Sequence, residues 1–338
     1  MEGIRIIKRP RLRNPYLIVA WPGMGEVAFK AAVYLVEKLK AEELAFIHPE
    51  EFFYPTGSSI QKGVLGAPEL PEGKFYFWKN PAARHSGSAD NFGGKLTRND
   101  LIIFISNAQP DLARAEVYSK KIIQVAKTFH AGTIIGFASM PVPVDHTQAS
   151  RVWLASTSAE LNNSFKKHNF DILTEGQISG MNGLFLAIAK REGFKGLCLL
   201  GEIPLYTIQM ENPKASYAVL SALAKILGIQ LDFSHLIEQA QGMEAEINKL
   251  LDYFKLGSQG QGPIGEEEIE KIKKTLSQLT KVPLSVKERI EKLFEQTRSD
   301  ITKANELKAE LDKWNVYKEY EDRFLDLFRK TTDKDKGN

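Results

Sequence analysis

The sequence predicts an α/β fold with a largely parallel β-sheet, followed by a C-terminal all-helical extension. Up to about residue 231, short runs rich in β-branched and aromatic residues alternate with stretches in which apolar residues recur every three or four positions. Most of the short runs are continuously apolar, which is typical of strands covered by helices on both faces. After Asp232 the strand-like runs stop and helical periodicity takes over.

The predicted elements follow one another in the order expected of βα units. Strands are predicted at residues 4–8, 16–21, 44–48, 74–79, 100–106, 132–138, 151–156 and 196–202. Helical spacing of apolar residues predicts helices at 25–39, 111–129, 158–168, 181–192 and 213–227. Two segments rich in Gly, Ser and Pro, residues 56–71 and 80–95, are predicted to be exposed loops or a hairpin connection.

The chain is predicted to divide into an α/β domain and a helical tail. We place the α/β domain at residues 1–232 and a connecting helix at 233–256. Residues 257–265 are dense in Gly, Gln and Ser and are predicted to be a flexible linker. An amphipathic helical tail is predicted at 266–330, followed by a disordered end at 331–338.

Apolar side chains of the predicted tail recur at helical spacing and form a stripe that must be covered. Two alternatives are open, since the tail could pack on its own domain or on another chain, either a partner or a second copy. In the second alternative the candidate interaction residues are Leu307, Leu311, Trp314, Phe324 and Phe328.

Composition indicates an ordinary globular protein. The chain has 338 residues, 43% of them hydrophobic, and a formal net charge of +3. Acidic and basic residues are mixed, so there is no basic surface of the kind that nucleic-acid binding requires, and nucleic acid is not an expected partner. The first residues lack the apolar core of a signal peptide, and no apolar run reaches the roughly 20 residues of a membrane span. We therefore expect a cytoplasmic protein without membrane partners, and the single cysteine, Cys198, is expected to be a buried hydrophobe.

One glycine motif suggests a ligand site. Residues 16–32 read YLIVAWPGMGEVAFKAA, an apolar strand that passes through Pro22, Gly23, Met24 and Gly25 into a helix. The spacing matches the alanine variant of the dinucleotide fingerprint, in which glycines let the backbone approach a pyrophosphate. However, Pro22 removes a backbone donor, and no acidic residue closes the next strand. The loop is therefore either a nucleotide site or a tight strand-to-helix turn lining a shallow cleft.

Polar residues also occur at other strand ends and helix starts, the positions where ligands collect in open α/β sheets. The candidate pocket residues are Pro22, Gly23, Met24, Gly25, Asn107, Gln109, Ser179, Gly180, Asn182 and Glu202. Ser and Asn are also ordinary capping residues, so a capped helix start is the alternative for the segment before residue 184. No set of nucleophile, base and orienting residue is visible, and the histidines lack metal-ligand spacing. We predict no catalytic residue, no metal and no cofactor.

Three separated blocks of the sequence together form a recognisable pattern: LIVAWPGMGEVAFKAAVYLVEKLKAEELAFIHPEEFF at 17–53, GQISGMNGLFLAIAKREGFKGLCLLGEIPLY at 176–206 and NPKASYAVLSALAKILGIQLDF at 212–233. In this order they resemble the PAC2 (proteasome assembly chaperone 2) family. The resemblance implies a three-layer α/β/α sandwich similar to the phosphorylase/hydrolase-like fold, frequent homo-oligomers, and chaperones that bind proteasome α subunits. Family members that dock on the proteasome ring resemble one another in a C-terminal hydrophobic-Tyr-any tripeptide. This chain ends Lys336-Gly337-Asn338, so docking by that route is not expected.

Two functions from different classes follow from these observations. The first is a protein-binding, assembly-chaperone-like module of the PAC2 family that works as a homo-oligomer without catalysis. The alternative is an enzyme that binds a nucleoside-like or small anionic ligand at the C-terminal edge of the sheet, where Glu202 would orient a hydroxyl or polarise a leaving group.

Overall fold

The computed structural model of the chain describes residues 2–55, 57–81, 99–166, 169–256, 284–313 and 316–332. The backbone clusters into two compact units: Met1–Pro204 with Met210–Tyr253, and Leu205–Gln209 with Phe254–Asn338. The predicted linker at 257–265 lies outside the described residues, as do 82–95 of the second predicted loop, 266–283 of the predicted tail and 333–338 of the predicted disordered end.

The first unit contains a large mixed sheet and a separate hairpin. Its strands are β1 Ile4–Ile6, β2 Tyr16–Ala20, β3 Glu42–Ile47, β4 Gly57–Gln61, β5 Val64–Glu69, β6 Gly73–Trp78, β7 Leu101–Ser106, β8 Thr133–Val142, β9 Val152–Ser156, β10 Asp171–Ile172 and β11 Lys195–Pro204. Its helices are α1 Val27–Leu39, α2 Ala115–Thr128, α3 Ala159–Lys166, α4 Met181–Arg191, α5 Pro213–Leu227 and α6 Ser234–Leu256. All the predicted strands and helices of this unit are present, with shifted ends.

The main sheet has the strand order β1-β3-β6-β7-β2-β8-β11-β9-β10. Its centre, β7-β2-β8-β11, is parallel, and antiparallel pairs flank that centre on both sides. Strand β2 is held on both sides, since Ile18 is in register with Ile103 of β7 and with Ile135 of β8. The residues that follow β2 therefore leave the sheet from its middle.

Helices cover both faces of the sheet. Helices α1 and α5 pack against each other, and α2 packs against α4. A Cβ at Gly201 would lie 3.1 Å from the carbonyl oxygen of Ala215 in α5, whereas the adjacent Leu200 belongs to the core shared with α2 and α4. Because successive side chains of a strand point to opposite faces, the two helix pairs lie on opposite sides. The predicted three-layer α/β/α architecture is confirmed.

Burial explains why the central strands read as continuous apolar runs. All six residues of β7 are buried, and Leu17, Ile18 and Val19 of β2 have no exposed surface. The thiol of Cys198 is also buried, and burial raises its pKa to about 12, so it is a core residue and not a nucleophile at neutral pH. Among the described helices, none is both long enough and apolar enough to cross a bilayer.

The predicted loop at 56–71 contains a β-hairpin formed by β4 and β5, which make a two-stranded sheet of their own. Every residue of β5 is exposed. The hairpin thus has little packing against the rest of its unit, unlike any strand of the main sheet's centre.

The second unit contains three helices in its described part, α7 Leu284–Ser299, α8 Ala304–Lys313 and α9 Tyr317–Thr332, which pack against one another. They enclose a core of Ile290, Leu293, Phe294, Ala304, Leu307, Leu311, Val316 and Phe324. At the surface of this unit, both terminal N–H groups of Arg323 donate to the carboxylate of Glu291, with Nη1 2.6 Å from Oε1. The C-terminal extension is therefore helical, with a core of its own.

Most of the predicted interaction stripe lies inside this core. Leu307 and Leu311 are fully buried and Phe324 is 6% exposed, because the other two helices of the unit cover them. Their burial leaves little of these three side chains for the second alternative, contact with another chain. Phe328 does remain 42% exposed, and Trp314 lies outside the described residues.

Candidate functional site

The glycine motif forms a tight turn that carries the chain from the centre of the sheet into α1. After Trp21 the backbone is extended at Gly23 (φ −167°), and Met24–Glu26 form a single turn of 3-10 helix. Gly25 then has φ +65° and Glu26 has φ +51°, in the left-handed region. Glycine is suited to the first of these positions because it has no Cβ that would clash there.

Asn182 fixes the start of this turn. The residue lies in the first turn of α4 and is 6% exposed. Its Oδ1 accepts a hydrogen bond from the amide of Trp21 at 3.0 Å, and its Nδ2 donates to the carbonyl of the same residue at 3.1 Å. One carboxamide thus replaces the strand neighbour that the end of β2 lacks at this point.

Gln109 ties the same turn to the start of α4. Its Nε2 donates to the carbonyl of Pro22 at 2.6 Å, and its Oε1 accepts from the amide of Met181 at 2.9 Å. A Cβ at Gly180, which has φ +69°, would lie 3.3 Å from Gln109 Nε2, so glycine leaves room for this side chain. The loops after β2 and β7 and the start of α4 are therefore joined through one side chain.

The carbonyl groups of the turn are also used within the protein. Ser139 Oγ donates to the carbonyl of Met24 at 2.7 Å, and the amide of Asn212 donates to the carbonyl of Gly25 at 2.8 Å. A Cβ at Gly25 would lie 3.2 Å from Ile203 Cδ1. The turn is therefore packed against Ile203, and its carbonyl oxygens already accept hydrogen bonds from Ser139 and Asn212. A phosphate cradle presents free amides instead.

Charge at the end of the turn also disfavours an anionic ligand. Burial raises the pKa of the Glu26 carboxyl above its usual value of 4.5, with Lys30 opposing this shift and Glu211 adding to it. The Glu26 side chain thus places an acidic group where a bound phosphate would gain most from a positive environment. At the start of α4, Gln109 Oε1 already accepts from the Met181 amide that an anion would need.

Three of the predicted pocket residues are engaged elsewhere or stand apart. Glu202 is 8% exposed and its Oε1 accepts from Trp153 Nε1 at 2.7 Å, across to β9. Asn107 Oδ1 accepts from the amide of Glu72 at 2.8 Å, beside the start of β6. Ser179 is exposed in the segment before α4. The structure thus brings together Pro22, Gly23, Gln109, Gly180 and Asn182, and it gives Glu202 and Asn107 other partners.

Residues that the sequence did not single out complete the site. Trp21 has no exposed surface, and its ring lies 5.4 Å from that of Phe104 and 5.5 Å from that of Phe185. Ser139 and Asn212 hold the turn from β8 and from the residue before α5. Asn212 was detectable in principle, since Asn directly before Pro is a common helix cap, and its side chain does cap α5 through the amide of Ala215.

Another contact that resembles catalytic machinery lies near α6. Asp145 Oδ1 is 3.3 Å from His146 Nδ1, but His146 Nε2 lies 2.9 Å from the amide oxygen of Asn248, where a triad would need a nucleophile. In the part of the chain that the structure covers, no group of three acidic, His or Cys side chains is arranged to hold a metal ion. The described geometry therefore points to structural roles for these polar groups.

Known proteins share this architecture. PbaB of Pyrococcus furiosus, an archaeal proteasome activator, is 29% identical with a TM-score of 0.61, over 73% of this chain and 97% of PbaB. PbaA of the same organism, an archaeal homolog of proteasome-assembly chaperone, is 25% identical with a TM-score of 0.54, over 73% of this chain and 96% of PbaA. An uncharacterized protein of Methanocaldococcus jannaschii is 28% identical over 241 residues, 71% of this chain and 84% of that protein.

The glycine turn, the start of α4 and β11 all lie within the segment shared with a known family. The PAC2 family model matches residues 17–251, which include every element from β2 to most of α6. The helical unit from Leu284 onward lies beyond that match. Because the match spans well over half of the sequence, this chain belongs to the PAC2 family.

Proposed function

We propose that this chain is a protein-binding, assembly-chaperone-like member of the PAC2 family, which acts as a homo-oligomer on proteasome components and carries out no catalysis. The observation that carries the proposal is the relationship to PbaB and PbaA, which are 29% and 25% identical and covered over almost their full length. Both are proteins of the proteasome system, one an activator and the other a homolog of an assembly chaperone.

The geometry at the C-terminal edge of the sheet supports the proposal that this chain carries out no catalysis. Two polar side chains lie there, and both hydrogen-bond the backbone. Gln109 bonds the backbones of Pro22 and Met181. Asn182 bonds the backbone of Trp21. A catalytic site needs polar groups aimed at a substrate atom. Side chains that already hydrogen-bond the backbone are better suited to keeping the fold rigid, so that it presents a surface for binding another protein.

The test is capture of proteasome components by the full chain. Immobilised full-length protein is incubated with a cell extract of its source, and retained proteins are identified by mass spectrometry beside an unrelated α/β protein as bait. We expect proteasome subunits to be enriched on this chain alone. Their absence from the retained fraction, together with a monomeric mass in light scattering, would overturn the proposal.

The alternative, an enzyme for a nucleoside-like or small anionic ligand, draws on the nearly buried carboxylate of Glu202 near the end of β11. A thermal-shift series with nucleotides, nucleosides and phosphate separates the two functions, because a ligand that binds the folded state raises the melting temperature. We expect no shift for the wild type. A shift that Glu202→Ala abolishes would favour the enzyme.

A further inference from the structure

Positive charge is concentrated at and just after the first strand of the sheet. Residues 3–25 contain no aspartate or glutamate, and their basic residues are Arg5, Lys8, Arg9, Arg11 and Arg13. All of these basic residues are exposed. We call residues 8–13, which hold four of them, the basic segment. This local excess stands out in a chain whose formal net charge is only +3.

The fold holds the basic segment in place. At one end, the amide of Lys8 donates to a carbonyl of β3 at 3.2 Å. At the other end, the buried carboxylate of Asp100 accepts from the amide of Arg13 at 2.7 Å. Between these contacts, Leu12 packs against the core. The arginines of the segment are therefore carried by a backbone that is fixed at both ends.

The basic segment lies along the edge of the sheet at which the parallel strands begin. Strand β3 begins at Glu42 and β7 begins at Leu101, and β6, which lies between them, ends at this edge. Two more exposed lysines lie here, since Lys40 follows Glu37 at the end of α1 and Lys79 follows β6. The glycine turn lies at the opposite edge, so this surface is separate from the candidate site.

Two acidic residues beside the segment already have partners. Glu42 Oε2 lies 2.5 Å from Lys8 Nζ. The carboxylate of Asp100 accepts hydrogen bonds from two backbone amides, at 2.7 and 2.9 Å. Arg9 and Arg11, by contrast, form no ion pair with any other residue that the structure describes. These two guanidinium groups are therefore available to carboxylates from outside.

We propose that the basic segment is a docking surface for an extended acidic segment of a partner protein, with Arg9 and Arg11 as its anchors. Two residues of chain span at most about 7 Å, which limits the separation of these two Cα atoms. Carboxylates at alternate positions of an extended peptide repeat at nearly this distance and lie on one side. Each guanidinium can then bind one carboxylate through two parallel hydrogen bonds. The inference rests on the protein-binding part of the proposed function and names a surface for it.

The charge pattern favours a protein over a nucleic acid as the partner. Binding to a phosphate backbone draws on many cationic contacts along a continuous basic face. On this edge, Glu37 and Glu42 interrupt the basic residues. A short acidic peptide needs only a few contacts, and the two arginines supply them.

The test is binding of a labelled peptide to the full chain, measured by fluorescence anisotropy. The probe has glutamate at alternate positions, and its counterpart has glutamine at the same positions. We expect the full chain to bind the glutamate peptide in preference, and more weakly as salt is raised, because salt screens exposed ion pairs. Arg9→Gln with Arg11→Gln should weaken binding by about tenfold, since two ion pairs are lost.

The matched control is Arg114→Gln with Lys166→Gln, which removes the same charge from exposed residues on other elements. It should leave binding unchanged, and circular dichroism melts show that each variant is folded. Equal weakening by the control would overturn the surface, because net charge alone would explain it. Arg9→Lys with Arg11→Lys keeps the charge and loses the paired hydrogen bonds, so we expect intermediate affinity. Wild-type affinity in this variant would overturn the bidentate arrangement.

The remaining outcomes identify the partner and separate this inference from the proposed function. Tighter binding of a labelled oligothymidylate than of the peptide, at the same salt, would overturn the protein partner. If the peptide does not bind and the Arg9 and Arg11 glutamine variant captures proteasome subunits as the wild type does, this surface is wrong while the proposed function stands. If the peptide binds through these arginines and no proteasome subunit is captured, the surface stands and the proposed partner is wrong.

Discussion

The side-chain amide of Asn182 hydrogen-bonds both the amide and the carbonyl of Trp21, 161 residues earlier in the chain. Two buried backbone groups at the end of the central strand therefore depend on one side chain at the start of α4. This contact fixes the start of the glycine turn that follows Trp21. Gln109 then holds the next residue, Pro22, through its carbonyl oxygen. The glycine turn, whose sequence resembles a ligand-binding loop, is therefore part of the connection that holds the end of β2 to the start of α4.

Asn182→Ala is expected to lower the free energy of unfolding by about 2–4 kcal/mol, because it leaves a buried N–H and a buried C=O of Trp21 unpaired. Urea denaturation monitored by tryptophan fluorescence measures the change. Asn107→Ala serves as the control, since Asn107 is exposed and the backbone amide of Glu72 can hydrogen-bond water in its place. Equal losses for the two variants would contradict the role assigned to Asn182.

Gly25→Ala should destabilise the fold by about 1–3 kcal/mol, since a non-glycine residue is strained in the left-handed region. The φ of Gly25 is +65°, and the new Cβ would also press on Ile203 and Asn212 at 3.2 and 3.3 Å. Gly23→Ala, in the same turn, keeps an extended backbone and meets only Asn182 Nδ2 at 3.3 Å, so its loss should be smaller. Melting temperatures of the two variants, measured side by side, decide this; the reverse ranking would show that the turn is built differently.

Glu26→Gln should change the pH dependence of stability. Burial raises the pKa of the Glu26 carboxyl above 4.5 in the folded protein, so its stabilising contribution is present below about pH 4.5 and is lost as the pH rises through the folded pKa. Glutamine does not ionise and escapes that loss. We expect the variant to be more stable than the wild type at pH 7 and to match it near pH 4, by urea denaturation at each pH. A constant difference across this range would rule out titration of Glu26 as the cause.

Leu307→Ala should loosen the helical unit, because it removes a fully buried side chain at a typical loss of about 2–5 kcal/mol. Because the core of this unit is small, it tolerates only a small loss of stability. We therefore expect α7, α8 and α9 to become susceptible to limited proteolysis in the variant. Leu325→Ala, at a residue that is 44% exposed on α9, provides the control. Cleavage of both variants at the wild-type rate would mean that the three helices do not depend on this core.

The α/β core could be predicted from the sequence because its strands are buried on both faces and its helices on one. Continuous apolar runs such as β7 and the periodic helices α1 and α5 carry that signal locally. The strand order could not be predicted, since β6 and β9 are antiparallel to the neighbours that tie them to the parallel centre, and nothing in their own residues marks this. The two-residue strand β10 is too short to produce a pattern.

The candidate site was predicted in part for a similar reason. Glycines, the amide of Gln109 after a strand and the amide of Asn182 at a helix start are recognisable in sequence as residues with a special backbone or a hydrogen-bonding role. Which atom each amide meets depends on strands that lie far apart in sequence, so Asn107 and Glu202, with the same local signature, bond elsewhere. The burial of Leu307 and Leu311 likewise depends on how three helices meet, and an amphipathic stripe alone does not specify its cover.

Strand β11 pairs with β8 along ten positions and lies between β8 and β9, which are consecutive in the chain. During translation, β8 and β9 are therefore complete before the strand that must enter between them exists. At roughly 5–20 residues per second, this delay lasts several seconds, in which the backbone N–H and C=O groups along one edge of β8 have no strand partner. The interval before β11 is inserted is thus a stage at which the nascent chain is open to wrong strand pairing.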